Sequence, residues 1–159
     1  MKQANDKLHE SGRISFFQGV VEYIIPDEPV SYRQNWTLPL SEIRLIGEYT
    51  NSDGPHLDDY FFVFVLADGS WRQASFYAVG REAFLLALGK EIGSELECGL
   101  CSSTKLKSRI LWPEGLCGQT LFTFARSPKS KNLFCRLVQK LSPTFLFELS
   151  EPVKKLLHL

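Results

Sequence analysis

The chain reads as an α+β domain: a mostly antiparallel, curved sheet packed by one central helix, with a helical C-terminal segment. Three observations predict this. Short runs rich in β-branched and aromatic residues follow one another with turn residues between them, without the strand–helix alternation of a doubly wound parallel sheet. One stretch among them, residues 81–93, repeats its apolar residues at helical spacing. After Ser127-Pro128 the character shifts to Lys and Arg interleaved with Leu, Val and Phe. With 159 residues, 44% of them hydrophobic, the chain is the size of one domain and rich enough to build a core. The expected division is an α+β sheet domain over residues 13–126 and a helical segment over 127–159 packed on the same domain.

Taken in order, residues 1–12 read as a loosely held polar leader. Ile14–Ile25 (ISFFQGVVEYII) reads as a strand with a bulge at Gly19. Pro26 and Pro29 end it in a turn. Trp36 and Leu38 alternate as on a short strand, with Pro39 closing it or placing it at an edge. Ser41–Thr50 is the next strand, with Ile43 and Leu45 expected on one face. The cluster NSDGP over residues 51–55 is a turn. Asp59–Leu66 (DYFFVFVL) is apolar on both faces, so it belongs in the middle of a sheet. Asp68-Gly69 turns the chain into a hairpin with Trp71–Tyr77.

Gly80 precedes the helical stretch, whose Phe84, Leu85, Leu88 and Ile92 form one face, and Gly93 stops it as a C-cap. Lys107–Trp112 and Gln119–Ala125 read as two strands joined hairpin-fashion by PEGLCG. Residues 130–141 read as a basic amphipathic helix in which Leu133, Phe134, Leu137, Val138 and Leu141 oppose Lys and Arg. Ser150-Glu151-Pro152 opens a last short helix through Leu157. Over residues 36–93 the pattern of a meander closed by a helix is loosely similar to pleckstrin-homology-like barrels. The order differs from theirs in placing strands after the main helix.

Composition narrows the function. The 18 Lys+Arg and 18 Asp+Glu balance, which argues against a general nucleic-acid binder, since phosphate contacts need a cationic excess. No apolar run approaches the length of a membrane span. The N-terminal MKQANDKLHESGR has neither an apolar core nor a cleavage site, so a cytoplasmic protein with reduced thiols is expected. The balance conceals a gradient: residues 1–95 hold 8 basic against 14 acidic side chains, and residues 126–159 hold 7 against 2.

Motifs for chemistry are sparse. Cys98-Gly99-Leu100-Cys101 is a CxxC, but it follows a helix instead of opening one, so it lacks the helix N-terminus that activates a redox thiol. Cys117 and Cys135 are 18 residues apart and do not form the second close pair of a zinc site. His56 among Asp53, Asp58 and Asp59 lacks the alternating oxygen ligands of a calcium loop. No nucleophile elbow and no glycine-rich phosphate loop occurs.

No cofactor, metal or catalytic residue is therefore expected. The expected function is a non-enzymatic interaction protein, of inhibitor or immunity type, that masks a basic surface on a protein partner. Complementary charge raises the rate and specificity of such association. Its docking surface is placed at the acidic residues Asp53, Asp58, Asp59 and Asp68, with Trp71 and Arg72 beside the hairpin turn as interface-type anchors. The alternative is a membrane-surface or lipid-binding module working through the basic C-terminal segment.

Overall fold

The computed structural model describes residues 11–25, 35–51, 58–101, 103–126 and 145–159. Within these, there are three antiparallel sheets, two of them packed on a central third. Strands β1 (Arg13–Phe17), β2 (Val20–Ile24) and β3 (Trp36–Pro39) form a meander. The central sheet, in the order β6-β5-β4-β7, comprises β4 (Ile43–Thr50), β5 (Tyr60–Leu66), β6 (Trp71–Ser75) and β7 (Lys107–Trp112). Helix α1 (Arg81–Ile92) lies between β6 and β7 in the chain. A third sheet pairs β8 (Phe122–Arg126) with β9 (Phe145–Leu149), and helix α2 (Glu151–Leu157) follows.

The central strand β5 explains the layering. Its alternating side chains are apolar on both sides, so water must be excluded from both faces. Phe62 and Phe64 pack with Ile14, Val21, Tyr23 and Leu38 of the meander and with Phe84 and Leu88 of α1. Val63 and Val65 face the other way, against Leu121, Phe122, Leu149 and Val153 of the third layer. The α+β architecture, the antiparallel pairing, the central helix and the C-terminal helix all match the expectation from sequence.

Several local expectations needed correction. The run Ile14–Ile25 is a hairpin, because Gln18 (φ 48°) and Gly19 (φ 77°) both take the left-handed region that a two-residue type I′ turn requires. Gln18 hid this turn, since Asn or Asp is the usual residue there. Ser11 and Gly12, assigned to the leader, are buried: the Tyr23 hydroxyl donates to the Ser11 carbonyl at 3.0 Å. A register shift between Ile43 and Leu45 sends those two residues to opposite cores instead of one face. Strands β7 and β8 do not form a hairpin. The loop after β7 returns along its outer edge, where Ile110 exchanges bonds with Gly118 and Gln119, and β8 then pairs with β9 in another layer.

The segment from residue 127 onward is therefore part strand among its described residues, and both β9 and α2 contribute to the second core. The amphipathic stretch 130–141 lies outside the described residues. No helix among the described residues is long and apolar enough to cross a membrane.

Among the described residues, the outer edge of β6 is met by side chains and not by another strand. The carbonyl of Gln73 accepts from Trp36 Nε1 at 2.9 Å, and the amide of Ser75 donates to Tyr23 Oη at 3.4 Å. These bonds hold the meander to the central sheet at a corner and occupy groups that would otherwise invite pairing with another chain.

Candidate functional site

The acidic residues singled out from sequence do not share one edge. Asp58 and Asp59 precede β5, and Asp68 follows it, so the seven residues of that strand separate them by roughly 20 Å. Asp53 and His56 lie outside the described residues. Asp68 is held at the hairpin tip by Ser70, whose amide and hydroxyl both donate to Oδ1, at 2.9 and 2.6 Å. Those bonds, the hydroxyl's first, hold its carboxyl below the usual range, and Arg72 nearby adds to the effect.

Arg72 is exposed on β6 and donates to the Trp71 carbonyl at 3.2 Å. Trp71 is half-buried and packs on Phe122, with ring centroids 5.2 Å apart, which makes it a member of the second core.

The other end of β5 is more organised. Ser11 Oγ donates to Asp58 at 3.0 Å, and Tyr77 Oη donates to Asp59 at 2.8 Å. Tyr77 is 43% exposed, with Val79 exposed close by in sequence. Partial burial, then the bond to Asp59 and the charges of both aspartates, push the Tyr77 hydroxyl up to about 12, while Arg81 tempers the effect. Behind it, the Arg81 guanidinium sits 4.2 Å from the centroid of Phe76, which stacks on Tyr60 at 3.9 Å. The result is a half-exposed tyrosine fixed by one carboxylate, beside a second, on a rigid aromatic base. The sequence points to Asp58 and Asp59 but not to Tyr77, because nothing local to Tyr77 announces its partner 18 residues away.

A second polar constellation lies inside the molecule. Glu48 on β4 is 0% exposed. It stands opposite Arg109 in the β4–β7 register, and the guanidinium reaches its Oε1 through Nε at 2.9 Å and Nη2 at 2.8 Å. The amide of Gly99 donates to the same oxygen at 3.0 Å, and Tyr60 Oη donates to Oε2. Burial, then this bond to Glu48, raise the Tyr60 hydroxyl far above its ordinary value. Arg109 Nη2 also donates to the Glu97 carbonyl at 2.5 Å.

Cys98 is half-buried at the same place, and burial followed by the Glu48 charge pushes its thiol up to about 12. A thiol so shifted is protonated at neutral pH and is a poor nucleophile. The carboxylate's bonds are committed to holding the loop after α1 against the sheet. Its signal in the sequence was one carboxylate in the apolar run IRLIGEYT and one guanidinium in KSRILW. Their pairing depends on a register between strands 61 residues apart.

Among the described residues no group of three or more His, Cys, Asp or Glu side chains converges as a metal site would require. Cys101 and Cys117 are exposed, and Cys135 lies outside the described residues. No family model, curated protein or solved structure matches this chain.

Proposed function

We propose that the chain is a non-enzymatic, cytoplasmic interaction protein, of inhibitor or immunity type, which masks a basic surface on a protein partner. The docking surface is the end of the central sheet that carries Tyr77, Asp59 and Asp58. The observation that carries this reading is the half-exposed Tyr77 ring, fixed by Asp59 with the charge of Asp58 nearby. A tyrosine held in place loses little conformational entropy on binding, and aromatic anchors of this kind dominate protein interfaces. The adjacent carboxylates supply charge complementarity, which steers encounter with a cationic partner. The acidic excess of residues 1–95 points the same way.

Affinity capture from the native organism tests the reading. The purified chain is immobilised and washed across a salt series from about 0.05 to about 0.5 M, over which the Debye length shrinks to about 4 Å. A basic protein retained at low salt and released as salt rises is the expected result. Retention of nothing, or only of a partner indifferent to salt, counts against it.

A further inference from the structure

The two-thiol motif of the sequence meets the buried ion pair of the fold in one loop. Between α1 and β7 the described residues of 94–106 form no helix or strand. At Gly99 this loop is fastened to the sheet: its amide donates to Glu48 at 3.0 Å, and Arg109 reaches the Glu97 carbonyl at 2.5 Å. A Cβ on Gly99 would lie 2.6 Å from Arg109 Nη2 and 2.8 Å from its Cζ. The guanidinium therefore rests directly on the backbone between the two cysteines, and a Cβ there would have to displace it.

The two thiols face different surroundings. Cys98 is half-buried beside Tyr60 and the Glu48 carboxylate, where a thiolate would face a like charge away from water. Cys101 is exposed, and its turn is closed by the Ser103 amide donating to the Leu100 carbonyl at 2.8 Å. One member of the pair is thus open to reagents, and the other is half-buried on a loop that Glu48 and Arg109 fasten on either side of it, at Gly99 and Glu97.

We propose that Cys98 and Cys101 form a gated thiol pair that reacts with a low-molecular-weight disulfide of the oxidised-glutathione class. Cys101 is the attacking thiol, Cys98 the resolving thiol, and the Glu48–Arg109 clasp the gate. Cys101 gives its proton to solvent and its thiolate attacks one sulfur of the reagent. A protein–reagent S–S bond forms, the reagent's S–S bond breaks, and the departing thiolate takes up a proton. With the clasp closed the reaction stops at this mixed disulfide. With the clasp open, Cys98 loses its proton and attacks the Cys101 sulfur, which expels the second reagent thiol and leaves a Cys98–Cys101 bond. The balance is two protein thiols oxidised and one small disulfide reduced to two thiols.

The test uses the intact chain with all its cysteines. Timed alkylation with iodoacetamide, read peptide by peptide in a mass spectrometer, reports each thiol separately. Cys101 is expected to react at least about tenfold faster than Cys98, as the exposure of Cys101 and the burial that raises the Cys98 thiol dictate. Gly99→Ala pushes the guanidinium off the loop and is expected to speed Cys98 while leaving Cys117 unchanged; Cys117 serves as the control for general unfolding. Arg109→Lys, which keeps the charge and loses the fork, is the second variant and is expected to act in the same direction.

With oxidised glutathione, the wild-type chain is expected to stop at glutathionylated Cys101, and the variants to proceed to the Cys98–Cys101 disulfide. Equal alkylation of Cys98 and Cys101 in the wild type overturns the proposal. So does a glutathione adduct that never resolves in either variant, or an internal disulfide that forms as fast in the wild type as in the variants.

Discussion

Glu48 is the residue on which most of the interior polar arrangement depends. Its carboxylate is reached from β5, β7 and the loop between α1 and β7, and each donor comes from a different part of the chain. Truncating one partner of a buried pair leaves the other charge uncompensated, so Arg109→Ala is expected to destabilise the fold by about 3–5 kcal/mol in urea unfolding. A loss below about 1 kcal/mol would mean that water reaches the carboxylate and the pair behaves as an exposed one.

This pair also uses up part of the charge asymmetry seen along the sequence, since an acid of the N-terminal part is neutralised by a base from beyond residue 95. The arrangement was illegible from sequence because a lone Glu in an apolar strand looks the same whether it is paired or solvated. Only the strand register decides.

Tyr77 carries the residue-scale test of the outer site. Its hydroxyl titrates near 12 in the folded chain, against 10.0 for an ordinary tyrosine. The folded state therefore holds the proton more tightly than the unfolded state. That contribution to stability is complete below pH 10 and is lost as pH rises through about 12. Urea midpoints measured across this alkaline window are expected to fall less steeply for Tyr77→Phe than for the wild type. Identical slopes would show that Asp59 does not hold the hydroxyl in solution.

At the scale of elements, what was legible and what was not divides by mechanism. Strands β5, β6 and β7 and helices α1 and α2 announced themselves, because period, composition and glycine or proline punctuation agreed at each. Features set by backbone handedness or by distant partners did not. The β1–β2 turn depends on left-handed conformations that Gln18 does not advertise, and the layer change between β7 and β8 depends on an edge already occupied by residues 118–119.

The glycines at element boundaries offer a graded test. Gly19 (φ 77°) has open space around it, so Gly19→Ala meets conformational strain alone, about 1–2 kcal/mol. Gly80 (φ 87°) opens α1 with a Cβ position 2.7 Å from the Ile14 carbonyl oxygen, so Gly80→Ala meets the same strain and a backbone collision. Thermal unfolding is expected to place Gly80→Ala well below Gly19→Ala. The reverse order would mean that α1 does not start against β1 as described.

At the scale of the molecule, the doubly apolar β5 forces a three-layer arrangement, and the C-terminal layer completes a core instead of hanging from it. Val153 of α2 is 0% exposed and packs with Leu45, Val63 and Val65 of the central sheet. Val153→Ala is expected to cost about 2 kcal/mol as one shifted urea transition with an unchanged m-value. Two separate transitions would show that the C-terminal layer unfolds on its own.

The same layering places the two acidic ends of β5 far apart, which sharpens the functional account. Asp68 accepts from Ser70 at the hairpin tip, whereas Asp59 fixes the exposed Tyr77 ring with the charge of Asp58 nearby. The most direct measurement is therefore a comparison of three immobilised baits against the salt-sensitive partner captured from the native organism: wild type, Asp58→Lys with Asp59→Lys, and Asp68→Lys, each first shown to unfold cooperatively. The paired reversal is expected to abolish capture, and Asp68→Lys to retain it. Capture that survives the paired reversal, or that is lost only with Asp68→Lys, would contradict this placement of the docking surface.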